Sequence, residues 1–271
     1  MRRIVHLSDL HFGRETPELL APLLAAVREA EPDLVAVTGD LTQRARRAQF
    51  EAAAHFLDAL PAPVLCVPGN HDIPLDRPDL RLLRPFARYR RHVSRDLAPV
   101  WQDPALMVQG LNTADPLAWQ RGRVRRRHLR RACRAFPGSG RLNVLLAHHP
   151  FGQSPGSGKK LMRNARRTLE TLADCDAHLV LSGHLHRWLA EPFVERKGGT
   201  RVLQVHVGTG ISTRHRGQGN DFAVITLDGG QIGVTRMLAD QGRFRRDAGF
   251  AFVRGDSGWR TSAAPAIPRE S

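Results

Sequence analysis

The chain of 271 residues holds one tyrosine, three cysteines and three lysines, and nowhere strings together the ~18 apolar residues that a membrane-crossing helix needs. The last absence excludes a helical membrane protein. No charged-then-apolar leader precedes the first strand, so a cytoplasmic location is expected, with peripheral membrane contact left open. The cysteines Cys66, Cys133 and Cys175 are odd in number and share no close spacing. They suggest neither a disulfide framework nor a thiolate metal site, and read as small buried apolar residues. Lysine occurs only at Lys159, Lys160 and Lys197, so the formal charge of +15 rests almost wholly on arginine. Such a balance suits anionic partners, although many arginines can equally cover solvated helix faces.

What is present is organised around Val35 to Thr42, an apolar run that ends abruptly in Thr38, Gly39 and Asp40. That is how a buried parallel strand delivers a carboxylate to the open end of a sheet. Ile4 to Ser8 leads in the same way to Asp9 and His11, and Val64 to Pro68 leads to Gly69, Asn70, His71 and Asp72. Between these strands, Thr16 and Pro17 start a helix with a stripe of Leu19, Leu20, Leu23, Leu24 and Val27, and an alanine-rich helix is expected over Arg47 to Ala59. The β-α-β-α-β order predicts parallel strands with ligand chemistry at their C-terminal ends.

Farther on, a helix mixing leucines and arginines is expected between Leu80 and Arg91, a strand near Ala105 to Leu111, and a helix after the arginine-dense run 121–131. Strands at Leu142 to Ala147 and His178 to Ser182 end in His148-His149-Pro150 and Gly183-His184-Leu185-His186. The Gly-, Ser- and Pro-rich loop 152–160 between them is flexible by composition, and a helix follows over Asn164 to Ala173. Val202 to His206, Phe222 to Leu227 and Ile232 to Val234 read as antiparallel strands. The 41% apolar content supports one domain over residues 1–258, with 259–271 a mobile tail.

Each motif alone is commonplace; five in order, each at a strand end, are not. Together they resemble the calcineurin-like metallophosphoesterases over roughly residues 1–210, most closely the bacterial cyclic-nucleotide phosphodiesterase (class III) branch. The resemblance implies an α/β fold, a four-layer α/β/β/α sandwich of two mixed sheets with metals at one edge. It assigns Asp9, His11, Asp40 and His186 to one metal and Asp40, Asn70, His148 and His184 to the other, Asp40 bridging. It gives His71 contact with the phosphate and assistance to the leaving oxygen. Relatives orient that histidine with an acid three residues after the bridging Asp, where this chain has Gln43; Asp72 is the substitute orienter, or merely caps a turn. His149 is a supporting or packing residue. Mixed oxygen and nitrogen ligands suit Mn or Fe, with Zn also open.

The function implied is hydrolysis of phosphodiesters, with a small anionic substrate such as a cyclic nucleotide. An alternative is a phospholipid or lipid-linked pyrophosphate at an anionic membrane surface, for which the basic segment with Leu82, Leu83, Phe86, Trp101 and Trp119 speaks. Nucleic acid is a less favoured partner, and a non-catalytic interaction module on the same scaffold is the reading from a different class.

Overall fold

The computed structural model describes residues 1–136, 140–152, 160–173, 175–196, 199–256 and 258–262. In chain order its strands and helices are β1 (Arg2–Leu7), α1 (Leu20–Glu29), β2 (Leu34–Val37), α2 (Arg47–Asp58), β3 (Val64–Cys66), α3 (Pro78–Leu83) and α4 (Ala87–His92). There follow β4 (Val100–Gln102), β5 (Leu106–Leu111), α5 (Arg126–Ala135), β6 (Leu142–Ala147), α6 (Ala165–Ala173), β7 (Leu179–Ser182), β8 (Leu189–Arg196) and β9 (Gly199–His206). The end of the chain is all strand: β10 (Asp221–Asp228), β11 (Gln231–Asp240), β12 (Arg243–Gly255) and β13 (Gly258–Ser262).

Successive side chains of a strand face opposite ways, so an uninterrupted apolar strand needs an apolar partner on each face. β1 and β2 meet that need. Val5, Leu7, Val35 and Val37 pack with Leu23, Val27, Phe50 and Phe56 of α1 and α2. Their alternates Ile4, Leu34 and Ala36 pack with Val144, Leu146, Leu181 and Val205 of a second sheet. On that sheet's outer face Leu145, Ala147 and Val180 cover Leu129, Ala132 and Leu172 of α5 and α6. The result is helices, sheet, sheet, helices, the expected four layers.

The first sheet runs β13-β12-β11-β10-β1-β2-β3 and the second β4-β5-β6-β7-β9-β8. The parallel strands are one end of the first sheet, β1 with β2 and β2 with β3, and the centre of the second, β5, β6, β7 and β9 in turn. The C-terminal ends of β1, β2, β3, β6 and β7 therefore open onto one edge of the sandwich.

Four expectations need correction. The helix between Leu80 and Arg91 is two helices, because Pro85 cannot donate the bond that would continue α3 and disfavours helical backbone at Arg84, whose ψ is 54°. Thr16 makes no side-chain cap; Pro17–Leu19 is a short tight turn ahead of α1. Residues 259–262 are not a mobile tail, since Gly258–Ser262 pairs with β12 and Trp259 is buried between the sheets; residues 263–271 lie outside the described residues. Cys133 and Cys175 form a disulfide, with Cα atoms 5.1 Å apart across 42 residues, leaving Cys66 as the buried free thiol. The pair is made by packing between α5 and the segment after α6, which spacing in sequence does not reveal. Of the loop 152–160 that composition marks as flexible, residues 153–159 lie outside the described residues.

Candidate metal centre

The ligand-type residues follow their strands in a repeated pattern: Asp9-Leu10-His11, Asp40-Leu41 and His184-Leu185-His186. Each intervening leucine is buried in the core. Anchoring the leucine throws its polar neighbours the other way, and the backbone bends to allow it: φ is 51° at Asp9, 49° at His11, 50° at Asp40, 68° at His184 and 53° at His186. Left-handed backbone at non-glycine residues is strained and persists where the surroundings enforce it, typically at functional sites. Two glycines are required by close approach. A side chain at Gly69 would collide with the Asp40 carboxylate, and one at Gly183 with Ser8 and Asp9, where the His184 N–H donates to Asp9 Oδ2 at 2.8 Å.

The ring nitrogens and carboxylates converge as two groups sharing one carboxylate. In the first, His186 Nε2 lies 3.1 Å and His11 Nε2 3.6 Å from Asp9 Oδ1, and the two imidazole nitrogens are 3.3 Å apart. In the second, His148 Nε2 lies 3.2 Å from Asn70 Oδ1 and 3.2 Å from His184 Nδ1. Asp40 Oδ2 stands between them, 3.3 Å from His148 Nε2 and 3.9 Å from His11 Nε2, while its other oxygen accepts from the His71 N–H at 2.7 Å.

These residues fit metal ions. Asp9 Oδ1 is a buried carboxylate oxygen with no hydrogen-bond partner among the described residues, yet it faces two imidazole nitrogens. Burial disfavours an ionised Asp9, but His186 and His11 hold its pKa well below the usual carboxylate range. Burial likewise opposes charge on His148, and the Asp40 carboxylate overrides it and raises the ring to about 9. The site calls for positive charge beside its carboxylates. Burial lowers His11 to about 4, which leaves its ring neutral and able to donate a lone pair. Backbone carbonyls orient the rings: Thr38 O takes His148 Nδ1 at 2.7 Å, and Arg214 O takes His186 Nδ1 at 2.9 Å.

His149 is near this group but has both nitrogens engaged, Nδ1 with Thr113 Oγ1 at 2.9 Å and Nε2 with Gln120 O at 3.0 Å. It nevertheless stands beside His148 and His184, and the three together could hold an ion. Asp72 does not orient His71. Its oxygens accept from the N–H groups of Thr42 at 2.9 Å and Gly69 at 2.9 Å, tying together the loops after β2 and β3. Burial and the nearby Asp40 charge raise it to about 7.

The orienter of His71 is Gln43, through its backbone carbonyl, 2.9 Å from Nδ1. A carbonyl only accepts, so Nδ1 carries the hydrogen and Nε2 of the neutral ring is an acceptor. Arg214 NH1 donates to it at 3.0 Å and reaches Gln43 Oε1 at 3.2 Å. Burial lowers the His71 pKa and Arg214 adds to the effect. Arg214 is the residue that sequence reading missed: it lies 143 positions from His71 in a loop among many arginines, without a motif to mark it.

Residues 2–188 match the calcineurin-like phosphoesterase family. Among curated relatives, the chain is 35% identical over 98 residues to the UDP-2,3-diacylglucosamine pyrophosphatase LpxG of Chlamydia trachomatis, a match spanning 35% of this chain and 25% of that one. It is 24% identical over 213 residues to a probable cyclic nucleotide phosphodiesterase of Synechococcus, covering 74% and 78%. Among solved structures, the purple acid phosphatase of yellow lupin seeds superposes with a TM-score of 0.66 at 14% identity, over 92% of this chain and 53% of that one. Vacuolar protein sorting 29 of Cryptosporidium parvum gives 0.51 at 15% identity, over 93% and 98%. The motifs at the strand ends, the four layers and the family match agree, and the chain belongs to the calcineurin-like phosphoesterases.

Proposed function

We propose that the chain is a two-metal phosphodiesterase acting on a small anionic diester such as a cyclic nucleotide. The observation that carries this is Asp40 Oδ2 placed between His11 Nε2 and His148 Nε2, with an Asp or Asn and a further imidazole on each side. Asp9, His11, Asp40 and His186 would hold one cation and Asp40, Asn70, His148 and His184 the other. Bound there, the pair supplies the Lewis acidity that phosphoester hydrolysis needs. Oxygen and imidazole donors suit Mn or Fe, with Zn compatible.

The chain's own residues then position the ester. Gln43 holds the His71 ring by its backbone carbonyl and Arg214 by its side-chain amide, and the guanidinium so positioned is the group that would meet the phosphate. With Nδ1 donating to Gln43 O and Nε2 accepting from Arg214, the neutral His71 ring positions the Arg214 guanidinium, and a proton-donating His71 would need a second ring proton beside Arg214. In solution, elemental analysis and turnover of bis(p-nitrophenyl) phosphate test the reading, followed by cyclic nucleotides and glycerophosphodiesters. Metal-loaded protein that hydrolyses none of these would overturn it.

One observation favours a second reading, a diester held at an anionic membrane surface. Leu82, Leu83, Leu117 and Trp119 are all exposed, and Arg81 NH2, which donates to Ala118 O at 2.5 Å, ties α3 to the turn bearing the last two. Trp101 and Phe86 are not part of this exposed surface; Phe86 is buried against the first sheet. Among the described residues no helix is long and apolar enough to cross a membrane. A small diffusible substrate goes with a cytoplasmic location, whereas the Cys133–Cys175 disulfide goes with a more oxidising compartment. Alkylation of free thiols in freshly isolated protein decides between them.

A further inference from the structure

The arginine-dense run that leads into α5 is more than a solvated helix face. Arg123, Arg125 and Arg127 line a cleft of about 780 Å³, and Arg84 and Arg90, from the end of α3 and from α4, line it too. Small-molecule sites occupy roughly 300–1,000 Å³. The fold sets the walls. The Arg123 N–H donates to Thr113 O at 2.9 Å and the Val124 N–H to Asn164 Oδ1 at 3.0 Å. Phe86 and Ala114, which line the cleft, belong to the core over the first sheet, whereas Val124 and Leu129 beside the arginines belong to the core over the second. The cleft therefore lies at the seam between the two.

This cleft is separate from the metal centre. The loop from Thr113 to Arg123 serves both: Ala114, Pro116 and Arg123 line the cleft, while Trp119 and Gln120 line the hollow that contains Asn70 and His71. No Asp or Glu lines the cleft. Among the described residues none of its five guanidinium groups meets a carboxylate, and their one side-chain hydrogen bond runs from Arg127 Nε to His128 Nε2 at 3.3 Å, an imidazole acceptor. Arg125 and Arg127 also stand at the start of α5, whose first turn has no acid and no side-chain cap. Positive charge there opposes the helix dipole as well as its like-charged neighbours. Segments about 35 residues apart in the chain thus bring their arginines to one hollow, where a multivalent anion can touch several forks at once.

We propose that this cleft binds a small ligand carrying two or more phosphoryl groups, at a site apart from the metal centre. A phosphoryl group concentrates up to about two negative charges and three acceptor oxygens. Five guanidinium groups exceed what one such group can contact, and Phe86 and Leu97 offer apolar wall to the rest of the ligand.

Calorimetric titration of the metal-loaded chain with inorganic pyrophosphate tests it. Two binding events are expected, one at the metals and one in the cleft. Asp40→Ala should lose only the first; if the centre holds no metal, the cleft event stands alone and persists in Asp40→Ala. Arg90→Gln/Arg125→Gln, at two exposed positions, should weaken the cleft event at least about tenfold with an unchanged thermal melt, as the loss of charge-assisted hydrogen bonds does. Arg126→Gln/Arg130→Gln removes the same charge from exposed positions of α5 that do not line the cleft, and should leave binding within about twofold. An equal loss in that second pair, or the absence of any event that survives Asp40→Ala, would overturn the proposal. Sedimentation with vesicles of phosphatidic acid and phosphatidylcholine separates the lipid source of the same chemistry. Capture that depends on Arg90 and Arg125, without pyrophosphate binding in the cleft, would give these arginines to a membrane and overturn the small-ligand site.

Discussion

Two partly buried arginines on the same sandwich have opposite surroundings. Arg236, on β11, is clamped by acids: its Nε and NH2 donate to the buried Asp221 carboxylate at 3.0 and 2.7 Å, and NH1 reaches Asp247 at 3.1 Å. Arg214 has an amide and an imidazole instead. The first arrangement is self-sufficient, since its charges are matched within the fold. The second leaves the guanidinium without a carboxylate hydrogen-bond partner among the described residues. In a chain with a formal charge of +15, the absence of a matching acid beside a positioned arginine says more about function than the charge itself.

The largest effect expected from breaking this contrast is on the metal side that Arg214 faces. Asp40→Ala should lower turnover of bis(p-nitrophenyl) phosphate by on the order of 10³-fold or more, because each cation contributes several kcal/mol of charge stabilisation. Arg214→Ala should lower it by about 10²-fold, as losing one positioned donor typically does, while altering unfolding free energy by less than about 1 kcal/mol. Arg236→Ala should do the reverse. It leaves the Asp221 carboxylate buried without its counter-charge, which destabilises by about 3 kcal/mol in denaturant melts, with turnover at permissive temperature nearly unchanged. If both arginines affected the same property, the contrast would be mistaken.

His71→Ala sharpens the comparison further. With Nε2 accepting from Arg214, the loss should be similar, about 10²-fold, for an alkyl diester and for a p-nitrophenyl diester. A far greater loss on the alkyl ester, whose leaving oxygen needs a proton, would make His71 the acid and Arg214 its accessory. The smallest effect belongs to the solvated arginines. Arg47→Ala removes only the exposed pair with Glu51, at 2.8 Å, and should change stability by less than about 0.5 kcal/mol.

How much of this was legible in the sequence follows from the range of the contacts involved. Asp9, His11, Asp40, Asn70, His148, His184 and His186 all stand within a few residues of an apolar strand, so a local pattern announces them, and the parallel strands of each sheet bring them together. Asp72 shares that local pattern but is turned to the Thr42 and Gly69 amides, a direction that spacing does not encode. Arg214 and the Cys133–Cys175 pair depend on contacts spanning 143 and 42 residues, with no periodicity leading to them. The strands β12 and β13 carry little local signal, because arginines interrupt the apolar alternation of β12 and the serine- and proline-containing end reads as tail although Trp259 packs between the sheets.

If Asp40 joins two metal positions, the metal stoichiometry of the chain and its variants must show it. Elemental analysis of the purified chain, alongside His11→Ala and Asp40→Ala, should give two cations per chain, about one, and close to none, in that order. Two cations retained in Asp40→Ala, with the protein folded, would contradict the account.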